Sequence, residues 1–60
     1  MYIFEAHYID MDTDTETTKK IEFDGQFFDA EKEIYLYAMS RAYDMTNENE
    51  LFSSLEFIAC

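Results

Sequence analysis

An alternation of side chains near the amino terminus constrains the fold more than any other feature of this sequence. Every second residue from Tyr2 to Tyr8 is apolar or aromatic, while Glu5 and His7 occupy positions between them. A period of two is the repeat of a β-strand, whose successive side chains point to opposite faces. The pattern predicts a strand over Tyr2–Met11. Its core-facing residues are Tyr2, Phe4, Ala6 and Tyr8.

A second strand is predicted over Thr18–Asp24. Lys19, Ile21 and Phe23 share one of its faces, and polar side chains share the other. The segment Asp12–Thr17 between the two strands is polar and shows no hydrophobic period, so it reads as a hairpin tip. A short polar link between two strands favours antiparallel pairing.

A helix is predicted to follow the turn signal Asp24-Gly25. Asp29 is the predicted N-cap, because its carboxylate can accept hydrogen bonds from free amides of the first helical turn. The helix is predicted to run from Ala30 to about Thr46, through residues that are good helix formers. Asn47 is the predicted C-cap.

The last segment, Leu51–Cys60, alternates again and predicts a third strand. Its inward face is expected to carry Leu51, Ser53, Leu55, Phe57 and Ala59. The sequence therefore predicts one α+β domain over residues 1–60, in the order β-β-α-β. We expect a three-stranded antiparallel or mixed sheet with the helix on one face. The third strand could follow a right-handed crossover from the second, or pair antiparallel with the first.

Charge restricts the partners of this chain. Fourteen Asp and Glu stand against four Lys and Arg, which gives a net charge of −10 in 60 residues. Direct binding of nucleic acid and of anionic membranes is disfavoured, because both need clustered cations. A basic protein is the expected partner. We expect a cytoplasmic protein, since the amino terminus lacks a signal-peptide pattern and the single cysteine cannot form an intramolecular disulfide.

The sequence offers little for catalysis or metal binding, and neither activity nor cofactor is predicted. His7 could act as a base, but no motif places a nucleophile beside it, so it reads as a surface histidine facing Glu22 or Glu56. Cys60 reads as a terminal thiol. The acids from Asp10 to Glu16 alternate as in a calcium loop, but the EF-hand pattern lacks its glycine and its final glutamate, so no metal site is predicted.

The predicted helix carries two apolar stripes. One stripe is expected to face the sheet and consists of Ile34, Ala38, Ala42 and Met45. The other stripe consists of Leu36, Met39 and Tyr43, and one small sheet cannot cover both. Exposed apolar patches on small domains usually mark interfaces, which predicts a homodimer through the second stripe. Alternatively, Phe27 or Phe28 folds over it.

Acidic side chains are predicted to form a partner-binding surface on the hairpin and the uncovered sheet face. The candidate residues are Asp10, Asp12, Asp14, Glu16, Glu22 and Glu56. On the uncovered face Ile3, Ile9 and Ile58 are expected among the acids, a composition that suits docking to a basic groove. The alternative is an ordinary solvated sheet face.

The segment from Ile21 to Glu33, IEFDGQFFDAEKE, and the later Tyr43-Asp44-Met45 resemble small acidic proteins of phages and mobile elements of Firmicutes. These include anti-CRISPR and other DNA-mimic inhibitors. The resemblance implies a non-enzymatic inhibitor that occupies the nucleic-acid-binding surface of a host protein. The alternative is a structural or assembly module that forms a homodimer, in which acidity serves only solubility.

Overall fold

Three strands and one principal helix make up the fold. The computed structural model describes residues 1–60, apart from the side chain of Phe27. The elements in chain order are β1 (Tyr2–Asp10), β2 (Thr15–Phe23), a 3-10 turn (Gly25–Phe27), α1 (Glu31–Asp44) and β3 (Glu50–Ala59). The predicted α+β order is confirmed. Within the described residues, no helix has the length and apolar character needed to cross a membrane.

The sheet has the order β2-β1-β3, with β1 in the centre and antiparallel to both neighbours. Of the two options left open for the third strand, antiparallel pairing with the first is the one present, and the sheet is antiparallel throughout. Because β1 opposes both edge strands, β2 and β3 run in the same direction. The chain returns from the end of β2 to the start of β3 through α1, as a parallel pair of strands requires.

The core lies between the sheet and α1. Its buried residues are Phe4, Ala6, Tyr8, Ile21, Ile34, Ala38 and Ala42. The predicted inward faces of β1 and of the helix are thus confirmed, with Tyr2 and Met45 half-buried at the margins. Three of these core residues are alanines, whose short side chains let α1 approach the sheet closely. The hydroxyl of Tyr8 consequently reaches the backbone and donates to the carbonyl oxygen of Ala42.

The predicted helix caps are wrong. Ala30 is the residue that precedes the first helical turn, and Asp29 instead donates its backbone N–H to the carboxylate of Glu33, at 3.2 Å. At the other end the helix stops at Asp44, and Met45 is the capping residue. Asn47 donates its N–H to Glu50 at 3.0 Å and belongs to the next turn.

The hairpin between β1 and β2 is tighter than predicted, so β2 begins at Thr15 instead of Thr18. The carboxylate of Asp10 accepts hydrogen bonds from the backbone N–H groups of Asp12, at 2.9 Å, and Thr13, at 3.3 Å. Asp14 takes the left-handed conformation with φ 58°, which Asp tolerates better than most residues. The predicted six-residue tip is therefore shortened to residues 11–14.

Register irregularities in β3 overturn part of its predicted alternation. Tyr8 pairs with Phe52 while His7 pairs with Ser54, so Ser53 is left between them. An extra residue in one strand exchanges the faces of the side chains beyond it. As a result Phe52 faces the core and packs on the ring of Tyr8 at 5.7 Å, whereas Leu51, predicted to face inward, is 58% exposed.

Candidate protein-binding surface

The face of the sheet opposite α1 is called here the open sheet face. Its side chains come from all three strands and follow the register of the pairs. It includes Ile3, Glu5, His7 and Ile9 of β1, Glu16, Lys20 and Glu22 of β2, and Glu56 and Ile58 of β3. Ile3 and Ile9 are half-buried although the helix packs on the other side. The predicted mixture of acids and apolar side chains on this face is therefore present.

A histidine between two carboxylates lies near the middle of the open sheet face. Nδ1 of His7 lies 2.9 Å from Glu16, and Nε2 lies 3.3 Å from Glu56, so the ring connects all three strands. The hydrogen bond that the ring N–H of His7 donates to the carboxylate of Glu16 is the main reason that the pKa of His7 is raised. Partial burial opposes that rise, and Glu56 adds to it. The expected contact with Glu56 is confirmed. The expected alternative, Glu22, pairs opposite Ile3 and lies two rows away.

Charges of both signs meet on the half of this face that surrounds Glu5. In register, Glu5 lies opposite Lys20 on one side and opposite Glu56 on the other. Lys20 also forms an ion pair with Glu22 at 2.9 Å. Two like charges directly opposed across a sheet destabilise the pairing, and Lys20 offsets this repulsion. Glu22 therefore belongs to a partly neutralised region and not to an uninterrupted row of carboxylates.

The hairpin tip carries a denser group of acids, of which Glu16 contacts His7. Asp12 and Asp14 are exposed in the turn, and Glu16 follows at the start of β2. The connection between α1 and β3 lies directly beside them, because Met11 donates its N–H to the carbonyl oxygen of Asn49 at 2.8 Å. That contact brings the neighbouring Glu48 to the same end. We call Asp12, Asp14, Glu16 and Glu48 the acidic end.

Glu48 was missed by sequence reasoning. The sequence feature that could have identified Glu48 is the polar run Asn47-Glu48-Asn49, which comes just before β3. Because β3 pairs antiparallel with β1, this run lies next to the hairpin tip. Asp10, in contrast, was predicted to bind a partner but is occupied within the chain. It is half-buried, and its second carboxylate oxygen accepts from the side chain of Asn49 at 3.1 Å. Asp10 therefore joins the two turns of the acidic end.

One of the few cations is used inside the fold. Nζ of Lys19 lies 2.6 Å from Glu50 and 2.6 Å from the carbonyl oxygen of Met45, above the ring of Tyr8. The hydrogen bond from Lys19 is the main reason that the pKa of Glu50 lies below its usual range. Lys19 thus serves the junction between helix and sheet, and its charge does not neutralise the acidic end.

The predicted dimer surface on α1 contacts β3 through Tyr43, whose ring packs on that of Phe52 at 4.9 Å. Leu36 is 55% exposed and Tyr43 is 61% exposed, while Met39 is half-buried. Phe28 does not cover them, because its ring contacts Phe23 and Tyr37 on the β2 side of the helix. The side chain of Phe27, the other predicted cover, lies outside the described part of the chain.

Among the side chains that the structure describes, no three His, Cys, Asp or Glu residues converge as metal ligands would. Cys60 is free and exposed at the end of the chain. Comparison with models of protein families, with curated proteins and with solved structures gave no match to this chain. Function is therefore inferred from the arrangement of charged and apolar side chains on the surface.

Proposed function

We propose that this protein is a non-enzymatic binding module that occupies a basic, nucleic-acid-binding surface of a cytoplasmic host protein. It would act as an inhibitor of the anti-CRISPR or DNA-mimic type. The observation that carries the proposal is the acidic end, where carboxylates from two turns and one strand lie together and only Glu16 contacts a basic side chain, His7. Its acids Asp12, Asp14 and Glu48 are exposed and lie in turns fixed by backbone hydrogen bonds.

Electrostatics supports this proposal. The net charge of −10 creates a field that attracts a cationic partner from a distance and raises the rate of association. Lys20 and His7 partly neutralise the open sheet face, so the negative field is expected to be strongest at the acidic end. Carboxylates can also accept paired hydrogen bonds from arginine, the residue that commonly binds phosphate. The acidic end can therefore present to arginine the same acceptor chemistry as phosphate.

The shape of the molecule is suited to a groove. Its principal extents are 39 × 17 × 13 Å, and strands of nine or ten residues account for the long dimension. The acids lie at one end of this narrow body. Ile3 and Ile58 on the open sheet face, beside a shallow depression shared with Glu5 and Lys20, would add apolar contact once the acidic end has engaged.

A second candidate function is an assembly module in which acidity serves only solubility. The exposure of Leu36 and Tyr43 favours it. The two functions differ in their response to salt. Binding of a basic partner should weaken as the Debye length falls from ~10 Å at 0.1 M salt to ~3 Å at 1 M. Apolar assembly should not weaken.

The test compares two charge-matched double variants. Asp12→Asn with Asp14→Asn removes two charges from the acidic end, and Asn tolerates the left-handed backbone at position 14. Asp29→Asn with Glu31→Gln removes two exposed charges beside the start of α1. Each protein is immobilised and exposed to bacterial lysate at low salt, with and without added duplex DNA.

We expect wild type and the Asp29/Glu31 variant to capture a basic nucleic-acid-binding protein that duplex DNA displaces. The Asp12/Asp14 variant should bind the captured protein with an association rate lower by roughly tenfold, because electrostatic steering is lost. Capture that is insensitive to salt, to DNA and to both variants would contradict the proposal and leave the assembly function.

A further inference from the structure

We infer that two copies of this protein associate through α1, with the two helices antiparallel and Leu36 of one copy against Met39 of the other. This inference goes beyond the proposed function and is independent of it. It concerns four side chains of α1, called here the helix stripe. They are Lys32, Leu36, Met39 and Tyr43.

The helix stripe is free of carboxylates in a chain that has fourteen of them. The acids of α1 are Glu31, Glu33 and Asp44. At about 100° per residue, all three lie to either side of the stripe and not on it. Depletion of charge with retention of aromatic residues and Met is typical of the centre of a protein interface. A solvated helix face on so acidic a protein would be expected to carry acids.

The spacing of the stripe is self-complementary. In a two-fold symmetric dimer the same patch meets itself, so residue i contacts residue j and j contacts i. The midpoint between positions 36 and 39 is also the midpoint between positions 32 and 43. An antiparallel pair of helices that brings Leu36 against Met39 therefore brings Lys32 against Tyr43, and each contact occurs twice.

Charge selects the antiparallel orientation. Lys32 lies in the first turn of α1, where the positive end of the helix dipole disfavours a cation. In the antiparallel dimer it lies beside the carboxyl-terminal turn of the second copy, where the dipole favours a cation. There it also meets the exposed ring of Tyr43, and a lysine ammonium over an aromatic ring is attractive. The second copy thus provides Lys32 with favourable contacts, to the carboxyl-terminal turn and to the ring of Tyr43, that its own helix turn does not provide.

A neighbouring cleft extends the apolar area. It measures about 480 Å³ and lies between α1 and β3. Apolar and aromatic side chains, among them Phe4, Ile34 and Phe57, line most of it, together with the charged Glu31 and Lys32. Phe57 is 53% exposed. Because helical side chains lean toward their own amino terminus, Tyr43 of the second copy would lean toward the mouth of this cleft.

The additional area matters energetically. A helix of 14 residues is only ~21 Å long, whereas stable interfaces bury ~1,200–2,000 Å² in total. A single stripe on so short a helix falls below that range, and the cleft brings the contact closer to it. A chain of 60 residues buries only about 60% of its unfolded surface on folding, so the added burial also stabilises the fold.

Sedimentation equilibrium over a series of protein concentrations tests the association. We expect a mass of twice 7.2 kDa at micromolar concentration. Leu36→Glu should weaken association at least about tenfold, because it replaces an apolar contact at the centre of the interface with a charge that must lose its hydration there. Arg41→Gln changes the net charge by the same amount on another side of the helix and should leave the dimer intact. Leu36 is over half exposed, so its replacement leaves the fold in place, as circular dichroism will verify.

Salt distinguishes this inference from the proposed function. Two copies of charge −10 repel each other, so dimerisation should strengthen as salt screens that repulsion, while capture of a basic partner weakens. Failure to dimerise would not affect the proposed function, and failure to capture a basic partner would not affect the dimer. A monomer at all concentrations and salt levels would overturn the inference, as would a dimer that Leu36→Glu leaves unchanged.

Cysteine cross-linking tests the register. In a Cys60→Ser background, a Leu36→Cys protein is mixed with a Met39→Cys protein and treated with oxidised glutathione as the oxidant. With the two proteins in equal amounts, random pairing yields the mixed disulfide at about twice the amount of each self-linked species, and the antiparallel register should raise the mixed disulfide well above that ratio. A mixed disulfide at or below the random proportion would show that the helices do not pair in this way.

Discussion

The carbonyl oxygen of Ala42 offers a quantitative test of how α1 is joined to the sheet. Tyr8 is fully buried, and its hydroxyl donates a hydrogen bond to this oxygen. The side-chain hydroxyl of Thr46 donates a second hydrogen bond to the same oxygen, at 3.1 Å. The helix ends at Asp44, so the oxygen lacks the N–H that would bond it in a longer helix. The N–H of Thr46 bonds to Tyr43 instead. Two side chains thus satisfy one carbonyl at the end of the helix.

The sharing of one acceptor predicts a coupled response to mutation. Tyr8→Phe and Thr46→Val each remove one donor and leave the other, so each should lower the free energy of unfolding by ~0.5–1.5 kcal/mol. Together they leave a buried carbonyl without a partner, which costs a further ~1–3 kcal/mol. The double variant should therefore lose about 2–6 kcal/mol. A domain of this length is typically stable by ~3–9 kcal/mol, so the loss should be large enough to measure.

Urea denaturation followed by far-UV circular dichroism measures these free energies, at one protein concentration because association would stabilise the folded state. Wild type, the two single variants and the double variant form a complete cycle. Additivity within ~0.3–0.5 kcal/mol would show that the two donors do not share the acceptor. A Tyr8→Phe variant as stable as wild type would also refute the reasoning.

Two further predictions concern the open sheet face and the turn before α1. The pKa of His7 is raised in the folded chain, so its contribution to stability is present below about pH 6.5 and is lost as pH rises through the folded-state pKa. The urea midpoint of wild type should therefore decrease as the pH rises above about 6.5, and that of His7→Gln should not; the same pH dependence in both proteins would contradict this. A Cβ added at Gly25 would collide with the ring of Tyr2. Gly25→Ala should accordingly cost ~1–3 kcal/mol, and less when combined with Tyr2→Val; additive losses would refute the collision.

The candidate surface was only partly predictable. The exposed acids Asp12 and Asp14 could be identified because a polar run between two strands must lie at a hairpin tip. The inward role of Asp10 could not, because it depends on contact with Asn49, which is distant in the chain. Glu48 joins the acidic end for the same reason.

Local periodicity in the sequence determined β1, the buried side of α1 and the order of elements. The period-two pattern from Tyr2 to Tyr8 and the helical spacing of Ile34, Ala38 and Ala42 are properties of neighbouring residues. These side chains must lie in the core, because a strand or a helix with one apolar face is stable only when that face is buried. Their burial in the structure follows from this requirement.

The tertiary structure alone decided which residues of β3 face the core and which acids lie together. One extra residue at Ser53 places Phe52 against Tyr8, although uninterrupted alternation predicts the opposite face. The same sheet brings Glu16 and Glu56 to the two sides of His7. Register between strands depends on how side chains from distant segments pack, and a shift of one residue exchanges the two faces of a strand. The register therefore cannot be predicted from the pattern of residues within one strand.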